Sequence, residues 1–106
     1  MSVKITTGDD VALRVTLKKS DATFSIDTGA TVKAVLRSGH EQLHNEVTCD
    51  SGTAGADWAN SLVVVVLPSA ITDTLLVKQA DLEIEVDDGG KLTWLISGIT
   101  IEKGTI

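Results

Sequence analysis

The stretch DLEIEVDDGGKLTWLI, residues 81–96, decides how this chain folds. Leu82, Ile84 and Val86 alternate with Asp81, Glu83, Glu85 and Asp87, and Leu92, Trp94 and Ile96 resume the alternation after two glycines. A period of two marks a strand with one buried face, because successive side chains leave a pleated chain on opposite sides. Asp87-Asp88-Gly89-Gly90-Lys91 is a turn signal between the two runs. A two-residue loop of Asp88 and Gly89 pairs Ile84 with Thr93 and mixes apolar with polar residues on one face. A three-residue loop of Asp88, Gly89 and Gly90 pairs Asp87 with Lys91, Val86 with Leu92, Ile84 with Trp94 and Leu82 with Ile96. That register places every large apolar residue except Leu95 on one side, and a slip of one residue inverts it. It predicts a type I turn closed by a glycine bulge, an Asp87–Lys91 charge pair across the strands, and Trp94 buried against Ile84.

The same period runs through the rest of the chain. Val11, Leu13, Val15 and Leu17 alternate with polar or small residues, a turn follows at Ser20-Asp21-Ala22, and Phe24 with Ile26 suggests a short strand. Asp27-Thr28-Gly29-Ala30 is a second turn cluster, after which Val32, Ala34 and Leu36 alternate with Lys33, Val35 and Arg37. Leu62-Val63-Val64-Val65-Val66-Leu67 is apolar on both faces, so it is either a central strand or one whose outer face is covered by another element or another chain. Pro68 stops it, and Ser69–Leu76 is expected to form one helical turn capped by Ser69, with Ile71, Leu75 and Leu76 folded over an end of the core. Residues 50–60 read as a loop, and Lys103-Gly104-Thr105-Ile106 as a fraying end or a link to a neighbour. About eight or nine short strands make an all-β, immunoglobulin-like antiparallel sandwich, expected as a single domain over residues 1–106.

Composition narrows the function. The 106 residues carry 9 Lys plus Arg against 15 Asp plus Glu, a net charge of −6, which disfavours a binder of nucleic-acid phosphates. Three aromatic residues, Phe24, Trp58 and Trp94, offer few platforms for sugars or unpaired bases. One cysteine, Cys49, excludes an internal disulfide and a multi-thiolate metal site. No apolar run approaches the ~20 residues of a membrane-spanning helix, and the opening MSVKITTGDD resembles no leader, so a soluble protein made inside the cell is expected.

Three constellations carry possible chemistry. His40-Glu41-Gln42-Leu43-His44 fits H-E-x-x-H, in which two histidines one helical turn apart ligate zinc and the glutamate activates water. The motif works only on a helix, since in a strand the two rings lie roughly 13 Å apart. Its setting between alternating strands therefore favours a polar turn and an edge strand. A zinc hydrolase using His40, Glu41 and His44, with Glu46 or a distant aspartate as third ligand, is the enzymatic alternative. The acidic row Asp81, Glu83, Glu85 and Asp87 would be a solvated face partly neutralised by Lys33, Arg37 or Arg14, or else a surface offered to a basic partner by an acidic binding module or inhibitor. On a strand its carboxylates stand about 6.8 Å apart in a line, unlike the converging oxygens of a calcium loop. Cys49 shares the face of Val47 and reads as a small buried hydrophobe, with His44 too weakly placed to make it a nucleophile. No catalytic residue and no cofactor is expected.

Gly8-Asp9-Asp10-Val11-Ala12-Leu13-Arg14-Val15-Thr16-Leu17 leading into a turn, Ile26-Asp27-Thr28-Gly29-Ala30-Thr31-Val32, and Asp87-Asp88-Gly89-Gly90-Lys91 joining two closing strands together resemble the small β-sandwich domains of tailed-phage baseplate and tail proteins, including the N-terminal module of upper baseplate proteins. The likeness spans about residues 8–102 and departs at Val77-Lys78-Gln79-Ala80, where such domains tend to carry Gly-x-Tyr. It implies a non-enzymatic virion component, present in the host cytoplasm during assembly, that packs against copies of itself or other tail proteins. It carries over no catalytic residues, and it implies neither a nucleic-acid nor a membrane partner. The expected contact surface is Leu62, Val63, Val64, Val65, Val66 and Leu67 together with the outward Leu95, alongside free strand edges.

Overall fold

Residues 81–96 form the hairpin in the three-residue-loop register: Asp87 faces Lys91, Val86 faces Leu92, Ile84 faces Trp94 and Leu82 faces Ile96. The molecule, described here from a computed structural model over residues 3–76 and 78–103, builds outward from that pair. The strands are β1 (Val3–Thr6), β2 (Val11–Thr16), β3 (Thr31–Ser38), β4 (Glu41–Gln42), β5 (Val47–Cys49), β6 (Leu62–Leu67), β7 (Gln79–Asp87) and β8 (Lys91–Glu102). One sheet has the order β1-β8-β7-β3-β4, with β5 also on β3, and the other contains β2 and β6. The fold is thus an all-β sandwich of eight strands in two sheets. All its pairs are antiparallel except one: β1 lies parallel to β8, Val3 beside Ile99 and Ile5 beside Ile101. Parallel neighbours need a long connection, and almost the whole chain separates these two.

The core lies between the sheets. Val32, Ala34, Leu36, Leu82, Ile84, Val86 and Ile99 face Leu13, Val63, Val65 and Leu67. Leu17, Ile26, Trp58 and Leu75 belong to the same apolar cluster, as do Ile5, Cys49, Ala80 and Ile101.

Several local expectations need correction. In the closing turn the positive φ falls on Gly89 (111°), not on Gly90, where a glycine bulge after a type I turn requires it. Phe24 and Ile26 form no strand; Ile26 is nevertheless buried, and its N–H donates to the Trp58 carbonyl at 2.7 Å. The turn before them is a tight reversal in which Ser20 and Asp21 both take positive φ (50° and 63°) while Lys19 and Ala22 pair. The 50–60 segment ends in a short 3-10 turn, Trp58–Asn60. Trp94 is half-buried rather than buried: it stacks on Phe24 at 5.6 Å, and its indole N–H donates to the Lys18 carbonyl at 3.0 Å. The predicted helical turn is α1 (Ser69–Thr72), and its N-cap position is Pro68. Ser69 does not cap it; the Ser69 N–H instead donates to Asp10 Oδ1 at 2.7 Å, so the cap comes from the residue that precedes the neighbouring strand, at the same end of the small sheet. Leu75 closes the core as expected, but Leu76 is 93% exposed.

Buried Thr72 extends that contact. Its hydroxyl donates to the Asp9 carbonyl at 2.7 Å and accepts from the Gly8 N–H at 3.1 Å. The chain beyond Lys103, read above as a fraying end or a link, lies outside the described residues.

Candidate functional site

The H-E-x-x-H segment does not form a helix. Gly39 and His40 make the two-residue turn between β3 and β4, Glu41 and Gln42 are β4, and His44 falls in the gap before β5. Along β3, Arg37 faces Gln42 while Ala34 faces Val47, so four residues, Leu43–Glu46, stand opposite only Val35 and Leu36. Two residues are in excess, and the chain bulges away from the sheet. The imidazole repairs the ladder. Leu43 donates its N–H to the Leu36 carbonyl at 3.0 Å, and the Leu36 N–H donates to His44 Nε2, also at 3.0 Å. A backbone N–H can only donate, so Nε2 holds the lone pair and Nδ1 carries the proton toward the Asn45 carbonyl, 2.6 Å away. Gln42 Nε2 fastens the same loop by donating to the His44 carbonyl at 2.8 Å.

Both ring nitrogens of His44 are therefore engaged within the chain, and no free lone pair faces a metal. Among the described residues no group of three His, Cys, Asp or Glu converges as metal ligands. Cys49 sits on the inner face opposite Val32, and burial pushes its thiol up to about 11, away from the thiolate a nucleophile needs.

The acidic row lies on the outer face of the large sheet, where β7 is flanked on both sides by β3 and β8. Arg37 Nε reaches Glu83 at 2.9 Å, and Lys33 stands directly opposite Glu85. Lys91 comes to 3.9 Å from Glu85 rather than pairing with Asp87, the partner its register suggests. Arg14 takes no part. It belongs to the small sheet, and its guanidinium packs under the backbone of Gly55, where an added Cβ would come within 3.1 Å. Gly55 has φ +89°, a conformation glycine adopts without strain.

The proposed contact strand is mostly interior. Val63, Val65 and Leu67 belong to the core, Leu62 is half-buried, and Val64 on the outer face is only 2% exposed. Val64 faces Arg14 across the pair, beneath the 50–57 segment that carries Gly55. Those residues are thus covered by the chain itself, and of this strand only Val66, 46% exposed, is substantially open. Leu95 is open as expected, 59% exposed, in the outer-face row with Glu83 and Val35.

The sequence did not signal the imidazole in the ladder, because a strand period records which face is buried and not which atom accepts a hydrogen bond. A two-residue excess between two half-strands was the available clue. In comparisons with known proteins, no family model matches the chain and no curated protein matches it significantly. No helix among the described residues is long and apolar enough to cross a membrane.

Proposed function

We propose that this chain is a non-enzymatic assembly module of a tailed-phage virion, in the tail or baseplate, that works by burying surface against other virion proteins and copies of itself. The supporting observation is Leu95, a large apolar side chain 59% exposed on the outer face of the large sheet and directly opposite Glu83, which is paired with Arg37. An exposed apolar residue beside charged ones has the make-up of an interface core with a polar rim. The sequence likeness described above supplies the setting.

Sedimentation equilibrium from micromolar to millimolar protein tests the proposal. Association is expected, with Leu95→Lys weakening it at least tenfold. A strict monomer over that range, or association indifferent to Leu95→Lys, would count against it. Tail or capsid genes flanking the coding sequence would support the setting, and their absence would oppose it.

A further inference from the structure

We propose that the open edge of β2 receives an antiparallel β-strand from a partner polypeptide, a partner whose chemistry deepens the assembly reading and rests on it. The Leu17 N–H donates to the Ser61 carbonyl at 2.9 Å, and the register continues it by setting Val15 against Val63 and Leu13 against Val65. Odd-numbered residues of β2 therefore bond to β6. The N–H and C=O groups of Ala12, Arg14 and Thr16 point the other way, where the two-stranded sheet has no further strand. Among the described residues these groups have no backbone partner.

Beside this edge runs a groove of about 330 Å³. Four consecutive residues, Ala12–Val15, form one wall, which a strand can do only by presenting its backbone edge. Val3, Ile96 and Ile99 form much of the rest. A ladder of unpaired peptide groups next to an apolar trough is the arrangement that captures an extended chain: the ladder binds its backbone and the trough takes every second side chain. The usual protections of an edge are missing, since β2 contains no proline and its one charged side chain, Arg14, is turned onto Gly55.

Charge selects the occupant and its direction. Asp9 and Asp10 precede β2, and Lys18 and Lys19 follow it. Asp10 accepts from the Ser69 N–H, and Lys19 lies over the Phe24 ring at 4.6 Å, at the two ends of the strand. A strand antiparallel to β2 starts over the lysines and ends over the aspartates. It fits best with an acidic residue first, apolar residues at alternate positions and a basic residue last. β2 of a second copy, flanked by Asp10 and Lys18, carries the same order of charge, and the concentration dependence of protection separates it from a heterologous strand.

The test uses the full chain and a capped nonapeptide, Glu-Thr-Val-Thr-Val-Thr-Val-Thr-Lys, followed by amide hydrogen exchange. Amides of Ala12, Arg14 and Thr16 are expected to exchange rapidly in the free protein and at least tenfold more slowly with saturating peptide. N-methylation of the threonines, whose N–H groups face β2 when the valines enter the groove, should weaken binding at least tenfold. N-methylation of the valines should not. Exchanging the terminal Glu and Lys should weaken binding measurably, as should Ile96→Lys, whereas Leu95→Lys on the opposite face should leave it intact. Slow exchange at these three amides before peptide is added, or no change at millimolar peptide, overturns the proposal. Protection that rises with protein concentration alone assigns the edge to a second copy and also overturns it. Self-association through Leu95 with these amides unprotected at millimolar peptide removes the strand site and leaves the assembly reading in place.

Discussion

Strands β6 and β7 invert the usual relation between composition and position. β6 is an unbroken apolar run, Leu62–Leu67, yet it sits in a two-stranded sheet with only β2 as a full partner. β7 alternates apolar with acidic residues, yet it lies between β3 and β8 in the middle of the large sheet. A continuous apolar run ordinarily marks a centre, and a row of charge ordinarily guards an edge. Here the two properties separate. Hydrogen-bonded neighbours lie in the plane of a sheet, whereas burial is decided above and below that plane. β6 is apolar because the 50–57 segment and Arg14 lie over its outer face, and β7 is acidic because its outer face keeps partial access to water.

The sharpest way to break this comparison is to exchange the two outer faces. Val64→Glu places a carboxylate beneath the covering segment and is expected to lower stability by more than about 3 kcal/mol, or to prevent folding. Glu83→Val should change it by no more than about 1 kcal/mol, read by urea denaturation. Equal effects would refute the distinction.

Cys49 probes the inner face. Its thiol is raised to about 11 in the folded protein, so between pH 9 and 11 the unfolded chain releases a proton that the folded chain retains. Stability therefore falls as pH rises through that window, by roughly 2 kcal/mol, and Cys49→Ala should remove that part of the pH slope. At neutral pH the thiol should resist alkylation until the protein unfolds.

The bulge supplies a smaller test. His44→Ala deprives the Leu36 N–H of its acceptor, with an expected cost of about 1–2 kcal/mol and faster exchange at that amide. The smallest effect belongs to the cover over β6. Gly55→Ala should cost about 1 kcal/mol, from positive φ and displacement of Arg14, and Val64 should become more exposed. An unchanged Val64 environment would mean that Gly55 and Arg14 are not what shields it.

Much of the architecture was legible because it depends on which side chains avoid water. The β7–β8 register followed from the demand that Leu82, Ile84 and Val86 share a face with Leu92, Trp94 and Ile96. The parallel β1–β8 pair was not legible, since Val3 and Ile5 carry the same alternation whichever way their neighbour runs. Nor was the cover over Val64: the 50–57 segment contains little apolar periodicity, and its role depends on where the chain returns in space. The H-E-x-x-H spacing was visible but ambiguous, because it fits a helix and a bulged edge equally well until the pairing on either side is known. Of the proposed contact residues, the outward position of Leu95 could be read from phase alone, whereas the burial of Val63, Val64, Val65 and Leu67 depended on the second sheet and the covering segment.

The hydrogen bonds that link Ser69 and Thr72 with Gly8, Asp9 and Asp10 join two stretches that do the same job. One carries the chain from the large sheet to the small, between β1 and β2; the other brings it back, between β6 and β7. With both crossings fastened to each other, neither layer can slide over its fellow at that end without first breaking the clasp. Pulling or shearing the molecule there should meet resistance from these few polar contacts before it meets any from the packed valines and leucines.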